Sequence, residues 1–400
     1  MHISKGMRRY VFFFSVLLLF SVSWGFDSKN KTRKEPLSKV NTLSTSTPSG
    51  HLGTPANESS LRLGLRATSY ENQFAKMDVL QLKLNYNLKY FVNQSIYLKL
   101  NPIARLHSGH VQSVDGAESL DNRLSIQHAA AYYQWMKESY VAAGIFDQYD
   151  VFSMLLVDDT MAFMGGQAKQ SVANGPWTFG VQGQTVIPNS RSAITDQNQK
   201  ESTPMLNSVG LTSNWEINDK NVVQAKANYF KFSNLPLSIS TASVIAGNTS
   251  ADSRVSDTER AFKYEYQGLD ADIFFKRRVY KAAYLLGNGS FLENQGAPKG
   301  LNQAYRVGGG AGYTILPNHD IEIAGYTYRI ESDATVGAYA NTDYFATNHM
   351  GHEFIASWKN VKQNYRVTFY FSDAKLVVEN PAQSDEKMYF LRFEVLNVSI

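Results

Sequence analysis

The chemistry available to this chain is carried by charge. None of its 400 residues is cysteine, which removes thiolate nucleophiles, disulfides and cysteine-ligated metals. Four aspartates, Asp147, Asp150, Asp158 and Asp159, bracket the apolar run 151–157 in the stretch QYDVFSMLLVDDT and its flanks. Cations recur upstream at Arg62, Arg66, Lys83, Lys99, Arg105 and Arg123. Carboxylates held across an aqueous gap from such a basic set would create a transverse field, which orients polar solutes and resists apolar ones. The eight histidines include no HExxH and no His-x-His pair beside a carboxylate, so no metal and no cofactor is expected. His107, Ser108, Asp115 and Asp121 share one segment, but their spacing sets no base against a nucleophile, and no catalytic residue is assigned.

A dominant period of two positions these charges. In 80–90, Leu80, Leu82, Leu84, Tyr86, Leu88 and Tyr90 face one way; Gln81, Lys83, Asn85, Asn87 and Lys89 face the other. Alternation of that length exceeds the usual strand of about 5–6 residues and matches the roughly 9–11 tilted residues that cross a bilayer. The same pattern places Arg62, Arg66, Lys83 and Lys99 opposite the apolar face. Sixteen candidate strands run from 61–69 to 386–399, among them 161–168, 259–267, 270–281, 303–316 and 320–331. Counting along the chain, odd-numbered connections such as 70–77, 148–160 and 282–302 are all longer than the even-numbered ones. Long loops on one side and short turns on the other characterise an antiparallel up-and-down transmembrane β-barrel. Hydrocarbon offers no hydrogen-bond partner, so such a sheet has to close on itself. Trp135, Tyr140, Trp177, Trp215, Phe262, Tyr313, Trp358 and Tyr389 fall near strand ends, as interfacial girdles require. His128 falls on the outward face, and Tyr97, Tyr133 and Tyr370 on the inward one. The glycine run 307–312 has no Lys-Ser/Thr after it, so it reads as small inward or bulge positions rather than a phosphate loop.

Composition agrees. Charged residues make up 18% and aromatics 13% of the chain, where a soluble domain carries about 25% charge. Lys5, Arg8 and Arg9 precede a short apolar run and small residues, which predicts a signal peptide over 1–25. Residues 26–60 are Ser/Thr/Lys/Asn-rich with three prolines, and predict a flexible periplasmic arm. With the leader holding +3 and the arm +2, residues 61–400 keep −1 of the total +4, so no nucleic-acid partner is expected.

Over 61–400 this layout resembles the Gram-negative porins. The segment YYQWMKESYVAAGIFDQYD, 132–150, is similar to the tight hairpin of a porin's fourth and fifth strands, with its Gly-hydrophobic-Phe-Asp ending at Gly144, Ile145, Phe146 and Asp147. The resemblance implies a 16-stranded outer-membrane channel for passive diffusion of small hydrophilic solutes. It implies that the third long loop, 148–160, folds inward, presents Asp147, Asp150, Asp158 and Asp159 to the pore and faces the basic wall. It also implies contact with outer-membrane lipid and lipopolysaccharide, recognition by the outer-membrane assembly machinery, and a homotrimer as one form of assembly. A substrate-specific transporter, and more distantly a rim-active hydrolase, are the alternatives. The C-terminus departs from the porin pattern, ending Val398-Ser399-Ile400 rather than on an aromatic residue. Leu396, Val398 and Ile400 break register with Tyr389, Leu391, Phe393 and Val395, which requires a bulge or a frayed end.

Overall fold

The computed structural model describes residues 56–113, 122–190, 201–254, 260–341, 343 and 345–399. The expected leader and nearly all of the expected arm lie outside the described residues, but Glu58–Ser60 opens the first strand. The strands are β1 Glu58–Asn72, β2 Ala75–Phe91, β3 Ile96–Ser113, β4 Arg123–Met136, β5 Ser139–Asp147, β6 Ala162–Asn174, β7 Trp177–Ile187, β8 Met205–Asn218 and β9 Asn221–Ser233. A loop follows with helix α1 Leu237–Ile245 and two short strands, β10 Ser250–Arg254 and β11 Arg260–Phe262. Then come β12 Gln267–Arg278, β13 Ala283–Asn294, β14 Gln303–Leu316, β15 His319–Ile330, β16 His349–Asn360, β17 Tyr365–Leu376 and β18 Glu386–Ser399. β1–β9 and β12–β18 pair antiparallel, each with its neighbour, and β18 returns to β1, closing a barrel of sixteen strands.

The barrel inverts the burial of a soluble protein. Leu124 is 81% exposed and Leu211 62%, whereas Gln184 is 5% exposed and Asp270 not at all. Such an outer skin is stable only against an apolar solvent, and closing the sheet gives its edge strands partners within it. Trp135, Trp177, Tyr313 and Trp358 are exposed close to the short turns, joined there by Trp215, whose ring centroid lies 6.1 Å from that of Trp177. Two expected girdle residues point elsewhere. Tyr140 packs edge-on against Tyr132 inside the barrel, and Phe262 packs on Tyr266 in the loop.

Sixteen strands are found, although two assignments change. Residues 283–294 form barrel strand β13, not part of a long loop; Gly287, Asn288 and Gly289 hide its alternation. At Gly287 a Cβ would lie 2.4 Å from the Phe275 ring, so a larger residue there would have to displace that ring. Conversely, 259–267 supplies no barrel strand. Before Gln267, which opens β12, only Arg260–Phe262 is extended among the described residues, paired with β10 in a small loop sheet, because Phe262 and Tyr266 pack into the loop core. The expected loop 70–77 is also a tight turn: β1 and β2 run on to residues 73–74, where the Asn72 carboxamide oxygen accepts from the Phe74 and Ala75 N–H groups at 2.8 and 2.6 Å. Every other odd-numbered connection remains longer than every even-numbered one.

Bulges explain the remaining departures. Asn101 pairs with His128 but Pro102 with Ile126, so Gln127 is an extra residue that shifts β4 by one. His128 therefore turns inward, 3% exposed and 2.8 Å from the Tyr132 hydroxyl, and Tyr133 turns outward while Tyr97 and Tyr132 stack inside. At the C-terminus Leu61 pairs with Val398 and Leu63 with Val395; this is the expected bulge, and it returns Val398 to the outer face. The glycine run holds regular register against β13 and β15. Gly312 leaves room for the Tyr284 ring, which a Cβ would meet at 2.2 Å. Gly312→Val should cost about 1–3 kcal/mol by overpacking, seen as a smaller folded fraction in a heat-modifiability gel; an undiminished folded fraction would remove this role.

Candidate functional site

Loop 148–161 lies inside the barrel, because its partners are inward-facing strand residues. Ser153 donates its N–H to Asp270 Oδ2 at 2.9 Å and its hydroxyl to Asp270 Oδ1. Asn228 Nδ2 donates to the Val151 carbonyl at 2.9 Å, and Lys226 Nζ to the carbonyls of Tyr149, at 2.9 Å, and Phe152. Gln184 Nε2 reaches Gln148 Oε1 at 2.8 Å. These anchors stand on β7, β9 and β12. Between them Val151, Phe152, Leu155, Leu156 and Val157 are 0–1% exposed, so a mostly apolar loop core is docked on one side of an otherwise polar lumen.

Loops 234–266 and 331–348 interlock with it at the long-loop end. The Asp158 N–H donates to the Tyr339 carbonyl at 2.9 Å, and Thr335 Oγ1 to the Leu156 carbonyl at 2.8 Å. Asp333, fully buried, accepts from Thr249 N at 2.9 Å, Thr249 Oγ1 at 2.6 Å and the Tyr266 hydroxyl at 3.2 Å. Burial first, then the Asp333 charge, pushes the Tyr266 phenol well above its ordinary value, so it remains a donor.

The four loop aspartates take different roles. Asp147 caps the turn that follows β5, accepting from Tyr149 N at 3.0 Å. Asp158 is 4% exposed, its Oδ1 accepting from Thr160 N at 2.7 Å and Thr160 Oγ1 at 2.5 Å. Asp150 and Asp159 reach water. Asp159 stands in a confined lumen, where burial, then the neighbouring Asp158 and Asp343, pushes its carboxyl up to about 6 against the pull of Lys83 and Arg392.

Opposite the docked loop stands the basic wall. Strand register puts Arg62, Arg66, Lys83, Lys99 and Arg105 on the inner face, and Arg123 at the β4 end beside Arg105. Arg66 pairs with Asp343 at 3.3 Å, with its guanidinium carbon 4.0 Å from the Phe390 ring centroid. Lys83 lies within electrostatic reach of Arg105, Asp159, Arg392 and Glu394. The structure thus brings Asp159 toward Lys83, while Asp147 and Asp158 serve the loop's own geometry. His107 and Ser108 belong to β3, not to a loop, with His107 Nε2 2.6 Å from Gln81 Nε2; Asp115 and Asp121 lie outside the described residues. Sequence reasoning missed Arg392, which alternation in β18 could have placed inside, and Asp343, for which a loop offers no periodic signal.

No protein-family model and no curated protein matches this sequence. Among solved structures, Pseudomonas putida OprB aligns with a TM-score of 0.51 at 10% identity, covering 86% of this chain and 94% of that one. Salmonella typhi OmpF, solved in complex with daunomycin, aligns with a TM-score of 0.48 at 13% identity, covering 84% and 98%. Acinetobacter baumannii OccAB1 aligns with a TM-score of 0.48 at 7% identity, covering 86% and 97%. These neighbours are outer-membrane porins. At such identities the likeness concerns the fold: this chain has the closed, antiparallel 16-strand barrel of the bacterial outer-membrane β-barrel proteins.

Proposed function

We propose that the chain is a channel of the bacterial outer membrane through which small hydrophilic solutes diffuse passively, narrowed by the inward loop 148–161. The reading rests on one observation: an apolar-skinned barrel keeps a polar interior and docks this loop against β7, β9 and β12, opposite the cations of β1–β3. At sixteen strands side chains no longer fill a barrel, and an aqueous path remains. In this reading the long loops face outward and the short turns the periplasm, lipopolysaccharide and the assembly machinery are the partners, a homotrimer is one form of assembly, and no catalytic residue is invoked.

Recording the purified protein in planar bilayers tests it. Ohmic unitary steps are expected, and a folded barrel that yields none sinks the reading. Asp159→Asn should alter ion selectivity and unitary conductance, because it removes a carboxylate that faces Lys83 and Arg392; no change in either would strip Asp159 of its pore role. The interlocked loops 148–161, 234–266 and 331–348 also favour a second reading, a substrate-selective transporter. Small steps blocked by one solute and insensitive to others would identify it.

A further inference from the structure

We propose that this lumen prefers small anions, and that Arg62, Arg66, Lys83, Arg105 and Arg392 form the track along which they pass. The inference rests on the channel reading and names its solute class. The decisive observation is how the cations are arranged across strands. Arg66 sits directly opposite Arg392, Lys83 opposite Arg105, Lys89 opposite Lys99, and Arg105 opposite Arg123. Like charges facing each other across a ladder are destabilising. A fold that keeps four such pairs on one inner face spends stability there, and local rules are broken in this way mainly at functional sites.

The opposite wall shows what neutralisation looks like. There Lys276 pairs with Glu322 and Arg306 with Glu353, each at 2.6 Å, and Lys220 with Asp320 at 2.9 Å. On the basic wall Arg66 pairs with Asp343 at 3.3 Å, and Arg366 with Glu394 at 3.9 Å. Arg62, Lys83, Arg105 and Arg392 make no ion pair within 4.0 Å among the described residues. The Arg62 and Arg66 Nε atoms are buried without an acceptor among the described residues.

Two of the cations share one aromatic ring. The Arg66 and Arg392 guanidinium carbons lie 4.0 and 4.8 Å from the centroid of the same Phe390 ring, which is itself stacked on Tyr370 at 4.5 Å. A guanidinium held against a ring keeps its N–H edge for an acceptor. Three carboxylates, Asp159, Asp343 and Glu394, stand near the track, fewer than its five cations. An anion moving past several spaced cations is bound weakly at each and can leave, as conduction requires.

The test is the reversal potential of the full chain in a planar bilayer under a KCl gradient, with chloride and potassium as the probes. A reversal potential of the sign set by chloride is expected. Lys83→Gln/Arg105→Gln should lower the chloride-to-potassium permeability ratio by about sevenfold per charge, because a unit charge acting through water over about 7 Å changes each ion's occupancy about threefold and in opposite directions. Gel heat-modifiability verifies that the variant barrel is folded; if it is not, the single Lys83→Gln variant gives the same reading with half the change in charge. A potassium-selective potential from a conducting channel overturns the inference and leaves the channel reading standing. An unaltered ratio in the folded variant overturns the assignment of the track. A folded barrel without conductance overturns the channel reading itself.

Discussion

Leu156→Asp should raise the unitary conductance and make it noisier, while the barrel still folds. Leu156 is fully buried in the cluster that holds loop 148–161 against the lumen wall. Placing an unpaired carboxylate there costs several kcal/mol, because the charge loses its hydration and gains no partner. A penalty of about 4 kcal/mol shifts the docked-to-released ratio roughly a thousandfold. It exceeds either hydrogen bond from Ser153 to Asp270, each about 1.5–3 kcal/mol for a charged acceptor. The docked population of the loop therefore falls, while the strand pairing of the barrel does not run through Leu156. An unchanged conductance from a folded Leu156→Asp barrel would mean that the loop does not set the width of the path.

Acidification should move ion selectivity further toward anions, with a midpoint near pH 6. Asp159 titrates at about 6 rather than 3.8. Lowering the bath from about pH 7.5 to about pH 5 leaves only about a tenth of it charged. The groups facing it are Asp158 and Asp343 on the acidic side and Lys83 and Arg392 on the basic side, so its neutralisation leaves the cations in excess. The sign for loop docking follows from the same shift. A carboxyl whose docked-state value is raised binds its proton more tightly when docked, so docking strengthens as pH falls through 6 toward 4 and weakens as pH rises through 6. Reversal potentials across that range measure the first effect. Asp159→Asn should remove the component with its midpoint near pH 6, and a component of unchanged size and midpoint in the variant would assign it to another group.

Much of the barrel could be read from residue order. Strict alternation in 80–90 placed Lys83 inside and Leu80 outside, since side chains on a pleated strand have no other choice than two faces. The same rule would have placed Arg392. It failed where the backbone breaks its own period. One extra residue, Gln127, reversed His128 and Tyr133, and the glycines of β13 left no alternation to see. The false strand at 259–267 offset the missed one, so the total of sixteen survived for a reason that alternation did not supply.

The aspartates mark where reading along the chain stops. Asp147, Asp150, Asp158 and Asp159 look equivalent in order and composition, yet one caps a turn, one closes another, and Asp150 and Asp159 meet water. Arg66 meets Asp343 across 277 positions. Linear order settles the faces of strands and the need to close the sheet, because those follow from local geometry and the solvent outside. Which loop bends inward, which carboxylate it presents and which cations keep no counter-charge follow from packing among distant segments, and such contacts leave no periodic trace in the chain.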